Sequence, residues 1–313
     1  MDALAKDIDK KKILITGGGG YLGSSMALKM APSGDDLFLL DVAFNKISIN
    51  LNESFSNVQL IQGDLTKLPE LKEICKDIQP THILHFAASM DRSRSFSIFE
   101  EMSRINVSGT MNLLESLSDI PYEFFGFSST SEVYGTKNPL PFDEDQLPSP
   151  VSPYSLTKLM AEDLIRTWSA LNKKPFTIFR IFLFIGPEMP ATTFFGQLQQ
   201  AYEKNEEFIM TKGEQRRDYL VLDDLLESIT SILRKRNANG EIINLCSGSS
   251  VSIKEITNTI KVIAGNRIRI SNVLPYRQNE IWDIRGSNEK LKKLLPEFSP
   301  KSISEYIHSL FEF

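Results

Sequence analysis

The 313-residue chain carries 35 Lys and Arg against 40 Asp and Glu, a net charge of −5, with 41% hydrophobic and 24% charged residues. That balance belongs to a folded globular protein, excludes a disordered or fibrous chain, and offers no basic field for nucleic acid or an anionic membrane face. Cys75 and Cys246 are too few for a disulfide framework, and with only His82, His85 and His308 the usual zinc-ligand spacings are missing, so no metal is expected.

In chain order, residues 1–12 are charged where a signal peptide would be apolar, and no apolar run approaches the ~20 residues that span a bilayer, so the cytoplasm is the expected compartment and a membrane partner is not expected. Residues 12–16 form an apolar run that meets glycines at once, followed by a helix-compatible stretch at 24–30: strand, turn, helix. Further strands are expected at 37–40 closing on Asp41, at 58–61 closing on Gly63-Asp64, and at 82–86 closing on Ala87-Ala88. Their spacing, with helical pieces between, is the rhythm of a parallel sheet covered on both faces. Residues 124–127 and 177–185 read as two more buried strands flanking a helix at 155–171. Beyond Gly186 the rhythm loosens, with helices expected at 195–204, 223–234 and 252–264 and strands at 208–210 and 242–245. The expected division is a larger domain over 1–185, which also receives parts of about 217–246, and a smaller, discontinuous lobe mainly over 186–313.

Thr16-Gly-Gly-Gly-Gly-Tyr-Leu-Gly23 satisfies G-x-G-x-x-G through Gly18, Gly20 and Gly23, and G-x-x-G-x-x-G through Gly17, Gly20 and Gly23. Without Cβ atoms the turn can be tight, and a pyrophosphate can approach backbone N–H groups at the positive end of the following helix. Its position between strand and helix favours a dinucleotide over a bare turn. Asp41, closing the next strand, can accept hydrogen bonds from ribose hydroxyls and would repel a 2′-phosphate, which favours NAD, although Lys46 keeps NADP open.

Of the eight tyrosines only Tyr154 has a lysine four residues later, Lys158, and on a helix that spacing puts both on one face. A nearby ammonium lowers the phenol pKa, so a tyrosinate can take a proton from a hydroxyl whose carbon gives up hydride. The segment Ser128-Ser-Thr130-Ser131-Glu132, leaving a buried strand at its C-terminal end, brings hydroxyls to the place where α/β ligand sites form.

With Gly63-Asp64-Leu65, His85-Phe-Ala-Ala88, Asn106-Val-Ser-Gly-Thr110, Arg180 with Gly186-Pro187, and Arg217-Asp-Tyr added, the chain resembles the extended short-chain dehydrogenase/reductase family over nearly its whole length, in particular its NAD-dependent sugar-nucleotide epimerases, dehydratases and decarboxylases. The resemblance implies a Rossmann-type doubly wound parallel sheet with a smaller C-terminal substrate-binding lobe. It implies NAD held by Gly17, Gly20, Tyr21, Leu22, Gly23 and Asp41, with Asp64 and Leu65 at the adenine, Phe86, Ala87 and Ala88 along the trough, and Asn106, Ser128, Tyr154 and Lys158 as further contacts. It implies Thr130 as the hydroxyl partner of Tyr154, and a nucleotide-sugar held by Ser131 and by Arg217 and Arg277 on the diphosphate. A homodimer through helices over about 96–117 and 154–171 is also implied.

These branches share oxidation at sugar C4, and they part afterwards. An epimerase returns hydride to the other face and needs no second base, a dehydratase needs a carboxylate to take the C5 proton, and a decarboxylase loses CO₂ from a β-keto acid. Glu132 is the candidate second acid/base, and the triplet Thr130-Ser131-Glu132 is similar to that of some decarboxylases and dehydratases. Two positions depart from the family pattern: Leu183 stands where an Asn is usual, and Glu188 follows Gly186-Pro187 where an Arg is found in decarboxylases. A reductase consuming NAD(P)H, and a non-catalytic dinucleotide sensor, are the readings set against the redox-neutral enzyme.

Overall fold

The computed structural model of the protein describes residues 10–91, 95–265, 268–276 and 280–311. The chain divides into two compact units, one of Met1–Val133, Pro150–Phe179 and Lys235–Ile242, the other of Tyr134–Ser149, Arg180–Arg234 and Ile243–Phe313.

The first unit follows the expected rhythm. Strands Lys12–Thr16 (β1), Asp36–Asp41 (β2), Val58–Gln62 (β3), His82–His85 (β4) and Phe124–Thr130 (β5) alternate with helices Tyr21–Met30 (α1), Lys46–Ser54 (α2), Leu68–Ile78 (α3), Phe99–Ser103 (α4), Gly109–Ser116 (α5) and Pro153–Asn172 (α6). With Thr177–Ile181 (β6) and Glu241–Leu245 (β11), the strands make a seven-stranded sheet in the order β11-β6-β5-β4-β1-β2-β3, and the β3-β2-β1-β4-β5 pairs are all parallel. Strand residues alternate between faces. Leu14, Ile83, Phe125 and Phe127 pack with Leu71, Cys75 and Ile78 of α3, Leu113 and Leu114 of α5, and Ala161, Ile165 and Trp168 of α6. Ile13 and Ile15, also fully buried, point the other way, toward the α1 side. Both faces are therefore covered, as the continuous apolar character of these strands requires.

The stretch 96–117 is not one regular helix. Between α4 and α5 the residues Arg104–Ser108 form a wide π turn, and Asn106 on that turn is buried. Such turns cluster at functional positions because they aim a side chain that a regular helix would place elsewhere.

The second unit contains Leu183–Ile185 (β7), Glu207–Met210 (β8), Arg216–Arg217 (β9), Tyr219–Val221 (β10), Val251–Ser252 (β12), Arg269–Asn272 (β13) and Asp283–Ile284 (β14). Its helices are Phe194–Glu203 (α7), Leu222–Lys235 (α8), Ile253–Ala264 (α9), Glu289–Leu294 (α10) and Ile303–Phe311 (α11). Phe195, Phe208, Tyr219, Ile256 and Ile260 anchor its core, with Phe195 and Tyr219 edge to face at 5.1 Å. α9 starts on a reciprocal cap, the Ser252 hydroxyl accepting from the Glu255 N–H and the Glu255 carboxylate from the Ser252 N–H.

The run 177–185 is two strands, not one. β6 ends at Ile181, Phe182 is buried between them, and β7 pairs in parallel with β10 instead of prolonging β6. An unbroken apolar run carries no mark of such a break, since both pieces are buried. The units divide at Phe179, ahead of the expected 185, and only Lys235–Ile242 of the later chain lies in the first. Residues 134–149 belong to the second unit, where the Tyr134 ring stacks on Phe142 at 5.0 Å and its hydroxyl donates to Asn244 at 2.7 Å. Among the described residues no helix is long and apolar enough to cross a membrane.

Candidate active site

The glycine turn joins β1 to α1. Gly17 takes φ +73°, and a Cβ there would lie 2.6 Å from the Ala87 nitrogen; a Cβ on Gly23 would lie 2.1 Å from the Gly17 oxygen. Only glycine fits at either place. Gly20 is the N-cap of α1 and supplies no side-chain cap, Tyr21 and Leu22 open the helix half-buried, and no acidic residue stands in its first turn. No capping side chain and no carboxylate thus competes with an anion at the start of α1. Asp41 closes β2 and holds the turn from outside, its carboxylate accepting from the Gly19 N–H at 2.9 Å and the Val42 N–H at 2.7 Å.

Asp64 is engaged locally, accepting from the Thr66 N–H at 2.9 Å and the Thr66 hydroxyl at 2.8 Å, and these bonds hold its carboxyl below the usual range. Leu65 is buried next to it, Phe86 is buried, and Ala87 and Ala88 are half-buried where the chain leaves β4.

Behind the turn runs a buried polar chain whose proton directions are fixed by elimination. Thr110 donates its hydroxyl to the Asn106 carbonyl at 2.6 Å, so toward His85 Nε2, 2.9 Å away, it can only accept. Nε2 therefore carries the proton, and Nδ1 accepts from the Thr16 hydroxyl at 2.6 Å. The Asn106 amide accepts from the Ser89 N–H at 2.7 Å and donates to the Ser89 carbonyl and the Thr157 hydroxyl, both at 3.0 Å, and Thr157 donates to the Tyr154 carbonyl at 2.9 Å. One chain of bonds thus ties the end of β1 to the helix that bears Tyr154. Burial, with the Lys158 ammonium nearby, drives the proton affinity of His85 down to about 3 and keeps it neutral.

Helix α6 begins where the sequence dictates. Ser152 caps it, accepting from the Ser155 N–H at 3.1 Å while the Ser155 hydroxyl accepts from the Ser152 N–H at 3.1 Å, and Pro153 fills the first helical position. Tyr154 therefore falls in the first turn, half-buried, and Lys158 in the second, 2% exposed, with Nζ 4.2 Å from the centre of the Phe127 ring. Burial pulls the Lys158 pKa down to about 7, and the Glu162 carboxylate opposes that fall. Thr130 ends β5, and its hydroxyl oxygen accepts from the Glu132 N–H at 3.2 Å, leaving its proton to be donated elsewhere. Ser128 donates to the His85 carbonyl at 3.2 Å, and Ser131 is buried in the turn that follows β5. Glu132 is exposed, its carboxylate 3.4 Å from the Ser152 hydroxyl.

Residues 13–246 match the NAD dependent epimerase/dehydratase family. The chain belongs to that family. Among curated proteins it is similar to UDP-glucuronate 4-epimerase of Thermodesulfobacterium geofontis, 28% identical over 91% of each chain. It is also similar to human dTDP-D-glucose 4,6-dehydratase, 29% identical over 80% of this chain and 74% of that one. Among solved structures it is similar to the UDP-glucuronic acid 4-epimerase of Bacillus cereus in complex with UDP-glucuronic acid and NAD, with TM-score 0.82 and 27% identity over 96% of this chain and 97% of that one.

This NAD-dependent epimerase/dehydratase is built to receive its cofactor. The uncapped start of α1, the close approaches at Gly17 and Gly23, and the Asp41 carboxylate at the end of β2 fit the pyrophosphate and ribose of a dinucleotide. In the second unit the Arg217 guanidinium is not free: it donates to the Glu280 carboxylate at 2.7 Å and to the Ile281 carbonyl at 2.7 Å. Arg277 lies outside the described residues.

Sequence reasoning gave no individual role to Ser129 or Glu162, which are 3% and 1% exposed, nor to Asp218, which is fully buried. Asp218 accepts from the Ser247 N–H and hydroxyl, the Gly248 N–H and the Gly286 N–H, gathering two segments of the second unit onto its own. For Glu162 a signal existed: it stands four residues after Lys158, as Lys158 does after Tyr154.

Proposed function

We propose that this enzyme interconverts UDP-hexoses that differ at C4, through a redox cycle that returns its cofactor unchanged. The observation that carries the reading is the placement of Thr130, Tyr154 and Lys158 in the unit that holds the glycine turn, with Lys158 buried on α6 one turn after Tyr154. NAD, when bound, supplies an acceptor for a hydride and can give it back. Tyr154 takes the proton from the C4 hydroxyl and later returns it to the ketone oxygen, and Thr130 donates a hydrogen bond to that same oxygen. The Lys158 ammonium stabilises the tyrosinate and holds the nicotinamide ribose. Gly17, Gly20, Tyr21, Leu22 and Gly23 receive the pyrophosphate, Asp41 the adenosine ribose, and Asp64, Leu65, Phe86, Ala87, Ala88, Asn106 and Ser128 shape the rest of the cofactor site. Ser131 and Arg217 are assigned to the substrate, Arg217 to a phosphate.

The contact of Glu132 with Ser152 engages that carboxylate at the start of α6, which supports epimerisation, where no second base is needed. A 4,6-dehydratase is the second reading, supported by the exposure of Glu132 two residues beyond Thr130, where a carboxylate could take the C5 proton. We assign the enzyme to the cytoplasm as a homodimer, and the half-exposed Met111 and Met160 of α5 and α6 support a helix-to-helix contact between copies.

The test begins with absorbance and mass of whatever is released on denaturing the purified enzyme, followed by incubation with UDP-glucose, UDP-galactose, UDP-glucuronic acid and dTDP-glucose. Retained NAD and a product of unchanged mass are expected. A product lighter by one water would make it a dehydratase, one lighter by CO₂ a decarboxylase, and stoichiometric loss of NADH a reductase.

A further inference from the structure

Helix α6 presents one face to the sheet, and Ala161, Ile165 and Trp168 on it are core residues packed with Phe125 and Phe127 of β5. Two charged residues stand on that same buried face, Lys158 and Glu162, four apart and 2% and 1% exposed. Ser129, which shares a face of β5 with Phe127, donates its hydroxyl to the Glu162 carboxylate. Ser129 immediately precedes Thr130, and Lys158 stands one turn after Tyr154, so this bond joins the strand and the helix at the neighbours of the two groups assigned to the C4 oxygen.

Burying an acid and a base is weak ground for stability, since desolvation takes back much of what the charges gain and well-packed apolar residues of similar volume often do as well. Stability alone therefore gives little reason for Lys158 and Glu162 on this face. What Glu162 does supply is a negative charge four residues along the same buried face, which opposes the loss of the ammonium's proton that burial drives. Among the described residues β4 presents His85, which is neutral, and β5 presents the Phe127 ring.

We propose that Glu162 is a positioning residue for catalysis, acting through Lys158 as its counter-charge and through Ser129 as the tether between β5 and α6. The inference rests on the assignment of Tyr154 and Lys158 above. It makes the charge of a residue that never reaches the substrate a determinant of the tyrosinate: without Glu162 the ammonium loses its proton at lower pH, and Tyr154 then holds its own proton to higher pH.

The experiment follows Tyr154 directly. The near-ultraviolet tyrosinate band of the NAD-loaded enzyme is titrated with pH, subtracting the same titration of Tyr154→Phe, for the native protein, Glu162→Gln and Ser129→Ala. In Glu162→Gln the Tyr154 midpoint is expected to rise by about one pH unit, a tenfold change, while the basic limb of kcat with UDP-glucuronic acid or UDP-glucose, whichever is turned over, moves down and KM stays within about twofold. Ser129→Ala keeps the charge, so its midpoint stays at the native value while kcat falls equally at every pH. An unmoved Tyr154 midpoint in folded Glu162→Gln overturns the proposal. Should Glu162→Gln fail to fold, the double variant Lys158→Met/Glu162→Leu decides: folding with native-like thermal stability shows that an uncompensated charge was the fault, and failure to fold reduces Glu162 to a structural part. Full sugar turnover by Tyr154→Phe would sink the assigned chemistry instead, and the midpoint of Tyr154 would still judge Glu162.

Discussion

Lowering the pH from about 7 to about 5 charges a histidine in the unfolded chain but not one that the fold keeps neutral, and His82 and His85 are both of the second kind. Burial lowers His85 from its ordinary 6.5 to about 3 and His82 from 6.5 to about 4. The folded rings bind fewer protons than the unfolded ones across that window, so stability is full above pH 6.5 and is lost as the pH falls toward those folded values. At about 1.4 kcal/mol per pH unit, each ring takes about 2 kcal/mol by pH 5, about 4 kcal/mol together, a large part of the 5–15 kcal/mol that holds a typical domain. Exposed carboxylates titrate mainly below that range, while Asp218 and Glu144, which burial raises, gain protons in the folded state and partly oppose this loss. Urea unfolding at half-unit steps should show the midpoint falling with little change in slope. Nitrogen-15 NMR of the imidazoles should find one histidine fixed as the Nε2–H tautomer and unprotonated through the same range. Stability equal within about 1 kcal/mol at both pH values would refute the burial argument, and His85 found with its proton on Nδ1 would refute the hydrogen-bond directions derived from Thr110.

Three substitutions probe the other parts. Tyr154→Phe should lower kcat by about 1,000-fold or more while leaving bound NAD and the melting temperature nearly unchanged, as read by steady-state kinetics and by cofactor release. Gly17→Ala, which forces a methyl against the Ala87 nitrogen at a φ of +73°, should cost about 2 kcal/mol or more and yield protein without retained NAD. Asp218→Asn turns an amide against backbone N–H groups of Gly248 and Gly286 or Ser247, and should cost about 3 kcal/mol in denaturant unfolding while Asp218→Glu restores only part of it.

The first unit was legible in the sequence because each of its devices is local. An apolar run that stops on glycine is a strand entering a turn, and Ser152-Pro153 is a helix start written in consecutive residues, so β1, the glycine turn and α6 fall where composition puts them. The break at Phe182 and the π turn at 104–108 left no such trace. A strand that changes partners stays apolar throughout, and a π turn shifts the helix register by one residue without needing any special residue type.

The candidate site divides along a different line. Gly17, Asp41, Thr130, Tyr154 and Lys158 could be singled out because their chemistry is unusual at their spacing, whereas Ser129, Thr110 and Glu162 are ordinary residues that become consequential only through what covers them. A hydrophobic pattern reads a charged residue as solvent-facing, and on α6 that rule would turn Lys158 and Glu162 outward, yet both lie with Ala161 and Ile165 against the sheet. The pattern fails here for a physical reason: a buried charge is tolerated where a partner on another element meets it, and the partner, the Ser129 hydroxyl, is 33 residues away in sequence and adjacent only after β5 and α6 have packed. Periodicity sees one element at a time, so polar groups that satisfy each other across elements lie beyond it, and in this protein those are the groups that set the charge and the aim of the residues the sequence does reveal.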